Sequence, residues 1–155
     1  MKAEAHAVDL PDESLDLIVS RNVTWLLLNP LGAYQEWYRL LKPTGKAVVF
    51  DANWNLSLSD PELQHECDRY LQLAKGKGYQ DKLLPHQRKE SEAIARKLPL
   101  TYEKRPLWDQ QAFRHCGFKQ VDIQENISDL VHDEIEKILY APTPMFAICA
   151  SKTAK

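Results

Sequence analysis

The chain has 155 residues, 44% of them hydrophobic and 27% charged, with a formal net charge of -2. Those values describe one domain with a real core and exclude disordered, collagen-like and low-complexity classes. A near-neutral balance gives no broad positive field, so nucleic acid is not an expected partner. Glycine is scarce, 5 residues where a usual share of roughly 7% would give about 11. None precedes Gly32, which excludes a glycine-rich nucleotide loop in that first stretch.

In chain order, Leu15–Ser20 (LDLIVS) and Lys46–Ala52 (KAVVFDA) read as strands buried on both faces, being β-branched and almost continuously apolar. Between them lies a well-marked helix. Asn29 can cap it, Pro30 suits its first position, and the turn Lys42-Pro43-Thr44-Gly45 ends it. Tyr34, Trp37, Tyr38 and Leu41 form one apolar stripe, so strand, helix and strand make a βαβ crossover. A second helix starts at Ser59-Asp60-Pro61-Glu62, where Ser59 and Glu62 have capping-box spacing. Its stripe is Leu63, Cys67, Tyr70, Leu71 and Ala74, and Gly76-Lys77-Gly78 breaks it.

A charged helix follows near Gln87–Lys97, reading as a solvated face, and another near Pro106–Cys116 stops at Gly117. Lys119–Ile127 alternates as a strand, Asp129–Leu139 reads as the last helix, and Pro144–Lys152 as the closing strand. Helices alternating with strands argue for an α/β architecture. Three cysteines (Cys67, Cys116, Cys149) without CxxC spacing fit a reducing compartment, and the acidic start has no signal-peptide core. No apolar run approaches the roughly 20 residues of a membrane span, so the expected location is cytoplasmic. The five histidines are dispersed and suggest no metal site.

Four tryptophans raise the idea of an aromatic cage. Trp37 lies on the helix stripe and Trp108 opens a helix, both suited to packing. Trp54, with Asp51 and Asn53, follows the second strand, while Arg21 and Asn22 end the first and Trp25 comes just after. Ligands of open α/β sheets lie at the carboxyl ends of strands, so Trp25, Asp51, Asn53 and Trp54 are substrate-side candidates. Capping turns would use the same residue types.

The order of AEAHAVDLPDESLD, the strand to Ser20-Arg21-Asn22, the helix ending LLKPTG, the strand KAVVFDANW, then RPLWDQQAFRHCGF and YAPTPMFAICA resembles class I S-adenosylmethionine-dependent methyltransferases of type 11. The resemblance implies a Rossmann-like fold, mostly parallel with an antiparallel last strand and incomplete at its N-terminus. It would form a single partial domain over residues 1–155, with a helical insertion at 56–100 over the acceptor side. It also implies S-adenosylmethionine as cofactor and a small-molecule methyl acceptor. Glu4 stands where the family's acidic residue accepts from the adenine amino group, and the Ala5 N–H faces an adenine nitrogen. A carboxylate beside an amide suits the donor and acceptor of that edge; a solvated terminal Glu has the same appearance. By resemblance, Arg21 and Asn22 also border the cofactor.

The family's opening strand, its GxGxG loop and its ribose-holding acid have no counterpart here. Positioning of the cofactor is much of such catalysis, so the resemblance leaves open whether these residues alone transfer a methyl group. The alternative is a non-catalytic module that binds a partner. Without the family's first strand, Leu15–Ser20 should lie at an open sheet edge, which natural proteins cover. A homodimer, or pairing with a separate N-terminal chain through that edge, is expected.

Overall fold

The structure is a computed structural model and describes residues 4–81 and 83–153. Strand β1 (Leu15–Arg21), helix α1 (Pro30–Leu40) and strand β2 (Leu41–Asp51) form the expected crossover, with β1 and β2 parallel. The Asn29 side chain accepts from the Gly32 N–H at 2.9 Å and so caps α1, with Pro30 in its first turn. Two further strands, β3 (Gln120–Gln124) and β4 (Phe146–Ser151), complete a sheet of order β1-β2-β4-β3. Strand β4 is antiparallel to both neighbours, so three strands run one way and the last runs between two of them in the opposite direction.

Helix α1 gives way directly to strand at Leu41, which is fully buried and pairs with Leu15. Lys42–Gly45 is therefore an irregularity inside the ladder rather than a free turn before the strand, since Leu17 pairs next with Lys46. A Cβ at Gly45 would lie 3.0 Å from the carbonyl oxygens of Leu15 and Lys42. Helix α2 (Pro61–Gly76) is capped by Asp60, which accepts from the Leu63 N–H at 3.1 Å. The Ser59 hydroxyl instead turns back to the Leu56 carbonyl at 3.0 Å, so the expected capping box is displaced by one residue. Helices α3 (Pro85–Ala95) and α4 (Leu107–His115) follow. Gly117 ends α4 at φ 107°, and a Cβ there would lie 3.1 Å from the Tyr38 ring. The expected last helix is two short ones, α5 (Ser128–Val131) and α6 (Glu134–Leu139). The break follows from Asp133, whose carboxylate accepts from the N–H groups of Ile135 and Glu136 at 2.9 and 2.8 Å.

Helices α1 and α4 cover one face of the sheet. Tyr34, Trp37 and Phe113 meet Ala47, Val49, Ile148 and Ala150 there, and the Tyr34 and Phe113 rings stack at 4.1 Å. A smaller cluster of Ala52, Ile127 and Met145, with Phe50 and Ala147 against it, lies toward the carboxyl end of β2. The edge strand β1 is left open. Leu17 and Val19, two positions apart and so on one face, are 54% and 58% exposed.

Candidate functional site

The stretch before β1 is bolted to α1 by two side chains one helical turn apart. Glu36 accepts from the Val8 N–H at 2.8 Å, and Arg39 donates to the Val8 and Leu10 carbonyls at 3.0 and 2.9 Å. Arg39 also pairs with Glu36 at 2.7 Å and with Asp12. Hydrogen bonds from Arg39, against an opposing effect of burial, and from the Val8 N–H hold the Glu36 carboxyl down to about 2. A depressed carboxyl stabilises the folded form above its ordinary value and loses that effect as pH falls through its folded value. The Val8 amide signal in heteronuclear NMR should therefore hold steady from neutral pH past 4.5 and titrate near 2. A midpoint near 4.5 would mean that the clamp is not formed in solution.

The adenine-side candidates Glu4 and Ala5 lie just before that clamp in the chain. Glu4 is exposed, its carbonyl accepting from the Ala7 N–H at 3.0 Å in a tight bridge, and Ala5 is half-buried. Arg21 and Asn22 are exposed at the carboxyl end of β1. Asn22 turns the chain at φ 53°, a conformation that Asn tolerates, and its N–H extends the ladder to the Phe50 carbonyl at 2.9 Å. Neither Glu4 nor Arg21 has a side-chain partner among the described residues. Trp25 is half-buried, and its N–H donates to Asp51 at 3.1 Å.

Beneath this edge lies a buried ionic network that sequence reasoning did not foresee. Arg105, with its side chain 1% exposed, sits between Asp51 and Asp109, each 0% exposed. Its Nε and Nη2 grip Asp109 at 2.8 and 2.9 Å, Nη1 reaches Asp51 at 3.1 Å, and Nη2 also donates to Thr24 Oγ1 at 2.6 Å. Thr24 in turn donates to Asp51, and the Tyr34 hydroxyl donates to Asp109 at 2.5 Å. Asp51 Oδ1 accepts from the Ala52 N–H at 2.9 Å and from Trp54 Nε1 at 2.8 Å. Asn53 clips the Arg105 main chain, accepting from its N–H at 3.0 Å and donating to its carbonyl at 2.7 Å. Every buried charge thus has partners, as low dielectric requires. Burial disfavours the Arg105 charge, but Asp109, Tyr34 and Asp51 outweigh it and hold the guanidinium ionised above its ordinary range. Burial, then the Asp109 charge, pushes the Tyr34 phenol well up, so it stays a donor.

The side-chain polar atoms of Asp51 and Asn53 are thus engaged within the protein. Trp54 differs. With its N–H tied to Asp51, its ring lines a cleft of about 480 Å³ bounded by α2, α3 and α6. Tyr140 meets Trp54 edge to face at 5.4 Å, and Tyr79, Cys67, Asp68 and Glu92 also line it. Helix α3 turns Arg88 and Glu92 to the cleft, so its charged side is more than a solvated face. Burial first, then the charges of Asp68 and Glu66, raises the Cys67 thiol, which disfavours the nucleophilic thiolate. Arg105 and Asp109 had a faint sequence signal in their i,i+4 spacing; of the cleft aromatics Trp54 was a candidate by its place after β2, and Tyr79 and Tyr140 had no signal. Among the described residues, no group of three metal-ligating side chains occurs and no helix is long and apolar enough to cross a membrane.

A parallel βαβ unit followed by an antiparallel last strand, with the open cleft at the carboxyl side of β2, defines the Rossmann-like class I methyltransferase fold. The comparisons agree. Residues 1–49 match the family described as Methyltransferase domain, which takes in the clamped segment, β1, α1 and most of β2. No curated protein sequence matches the chain. Among solved structures, it superposes on Haemonchus contortus phosphoethanolamine N-methyltransferase 2 in complex with S-adenosyl-L-methionine. That match has a TM-score of 0.57 and 14% identity, over 97% of this chain and 36% of the other. The complex of the Haloferax volcanii Trm112 methyltransferase activator with a methyltransferase gives 0.57 at 16% identity, over 99% and 60%. A SAM-dependent methyltransferase of Thermotoga maritima gives 0.56 at 18%, over 99% and 63%. The chain spans little more than a third of the Haemonchus enzyme and about three-fifths of the other two. At these identities the structural likeness is one of fold, and the methyltransferase resemblance in sequence lies in the first 49 residues.

Proposed function

We propose that the chain provides the acceptor side of an S-adenosylmethionine-dependent methyl transfer to a small molecule, with the glycine-rich cofactor loop supplied from outside these 155 residues. The observation that carries this is the cleft of small-molecule size beside the carboxyl end of β2, in a methyltransferase fold whose first 49 residues match that family. The cofactor's sulfonium supplies an activated methyl group. Glu4 would accept from the adenine amino group and the Ala5 N–H would meet a ring nitrogen, with Arg21 and Asn22 bordering the same ligand. The residues suit that duty, because the charged groups of Glu4 and Arg21 are exposed and without side-chain partners among the described residues. The Arg105 network holds Trp54 and the turn after β1 in place, so that acceptor and cofactor sides share one rigid base.

A second reading concerns assembly, and the exposed Leu17 and Val19 on the edge strand favour it. Pairing of β1 with a second copy, or with a separate chain, would end the open ladder and set new side chains beside Leu17 and Val19 on that face. The Haloferax structure, in which a methyltransferase is held by an activator protein, is a precedent for a partner. Both readings meet in one pair of measurements on the chain. Calorimetry with S-adenosylmethionine alone should show no micromolar binding, and light scattering should give a mass above one chain that Leu17→Lys with Val19→Lys reduces to one. Micromolar binding by a monomer would overturn the division of labour; a wild-type monomer with freely exchanging β1 amides would overturn self-pairing.

A further inference from the structure

We infer that the cleft between α2, α3 and α6 binds a small organic ammonium ion, gripped by its cationic group. The inference rests on the acceptor-side reading only in taking that group as the anchor of the methyl acceptor. Its physical basis is the cleft itself.

Shape comes first. A volume of about 480 Å³ falls in the range of small-molecule sites, which enclose roughly 300–1,000 Å³. Trp54 and Tyr140 meet edge to face at 86°, their centroids 5.4 Å apart, and both rings line the cleft. Tyr79 lines the same cleft, and Leu58 and Leu71 supply apolar wall. Aromatic faces carry negative potential and attract cations, most strongly where water is thinned out.

Charge then decides between ligands. Of the charged side chains lining the cleft among the described residues, Arg88 is the one cation, and it is ion-paired with Asp81. Asp68 takes a hydrogen bond from Gln64 at 2.9 Å, and Glu92 has no side-chain partner among the described residues. Neither carboxylate has a cationic partner among the described residues, so the described lining carries two carboxylates beyond its one ion pair. Burial first raises both the Cys67 thiol and the Tyr140 phenol; the charges of Asp68 and Glu66 add to it at the thiol, and Tyr79, Glu136 and Asp81 at the phenol. An anion would meet two carboxylates, and a neutral molecule would gain only from the rings. An ammonium gains from both.

The test titrates the full chain with 2-phenylethylammonium, with the neutral 2-phenylethanol and with the anion phenylacetate, read by calorimetry at low salt. The ammonium should bind about tenfold or more tightly than either analogue, as cation–π contact and charge together allow. Added salt should weaken its binding and leave that of the alcohol unchanged. Glu92→Gln combined with Asp68→Asn should bring the preference to within about twofold, with near-UV circular dichroism showing that the fold is kept. Equal binding of the three, tighter binding of phenylacetate, no binding of any, or a preference that survives the double substitution would each overturn the inference. Because the readout needs no cofactor, ammonium binding without any S-adenosylmethionine binding in a reconstituted assembly would refute the methyl-transfer reading and leave this one standing. Methyl transfer without ammonium preference would do the reverse.

Discussion

Replacing Arg105 by alanine should destabilise the protein by about 3–5 kcal/mol, the usual effect of removing one partner from a buried ion pair. The loss is large because two carboxylates lose their common cation. Asp51 would keep Thr24, Trp54 and two backbone N–H groups, but Asp109 would keep only the Tyr34 hydroxyl as a donor among the described residues. Arg105→Lys should recover little, since one ammonium cannot span Asp51, Asp109 and Thr24 as the planar guanidinium does. Urea unfolding measures the change, and a difference below about 1 kcal/mol would place the pair among weak surface bridges instead. Asn53 is clipped to the Arg105 main chain and Trp54 to Asp51, so Trp54 fluorescence should shift in the same variant before it unfolds.

Phe113→Ala should lose about 3–5 kcal/mol as well, through transfer and cavity terms rather than charge. Phe113 is fully buried, stacks on Tyr34 at 4.1 Å and meets Phe118 edge to face at 5.1 Å. Tyr34 links the two effects, since its ring packs on Phe113 while its hydroxyl donates to Asp109. A cavity at position 113 lets that ring move and loosens the hydrogen bond. The combined variant Phe113→Ala with Arg105→Ala should therefore lose less than the sum of the two, by more than about 0.5 kcal/mol. Strict additivity in the double-mutant cycle would mean that core and network are independent.

Much of the scaffold was legible because local pattern and tertiary role coincide. The Asn29-Pro30 start of α1 and its stripe of Tyr34 and Trp37 follow the period of their own element, and the structure keeps them. The two apolar strands form where expected, but they alternate in burial rather than being buried on both faces, and β1 exposes Leu17 and Val19. Differences arise where two local solutions compete. Ser59 and Asp60 both offer a capping oxygen, and Asp133 can cap as readily as it can continue a helix. The candidate site was legible only on the two strand ends. Asp51, Asn53 and Trp54 are consecutive or nearly so, and they do lie together. The rest was hidden, since Arg105 meets Asp51 across 54 positions and arginines are seldom buried. Tyr79, Glu92 and Tyr140 come from three separated segments, and no periodicity announces that they share a cleft.

The indole of Trp54 has its one donor occupied by a carboxylate beneath the floor of the cleft. The ring thus arrives at any encounter already frozen, its orientation set during folding. An incoming molecule need not immobilise it, and so escapes the roughly 0.5–1.5 kcal/mol that ordering a loose side chain takes from an association. The ring can contribute surface and potential but no hydrogen bond, so discrimination at that wall falls to outline and polarity. Recognition by this cleft should therefore tolerate varied bodies around a constant head.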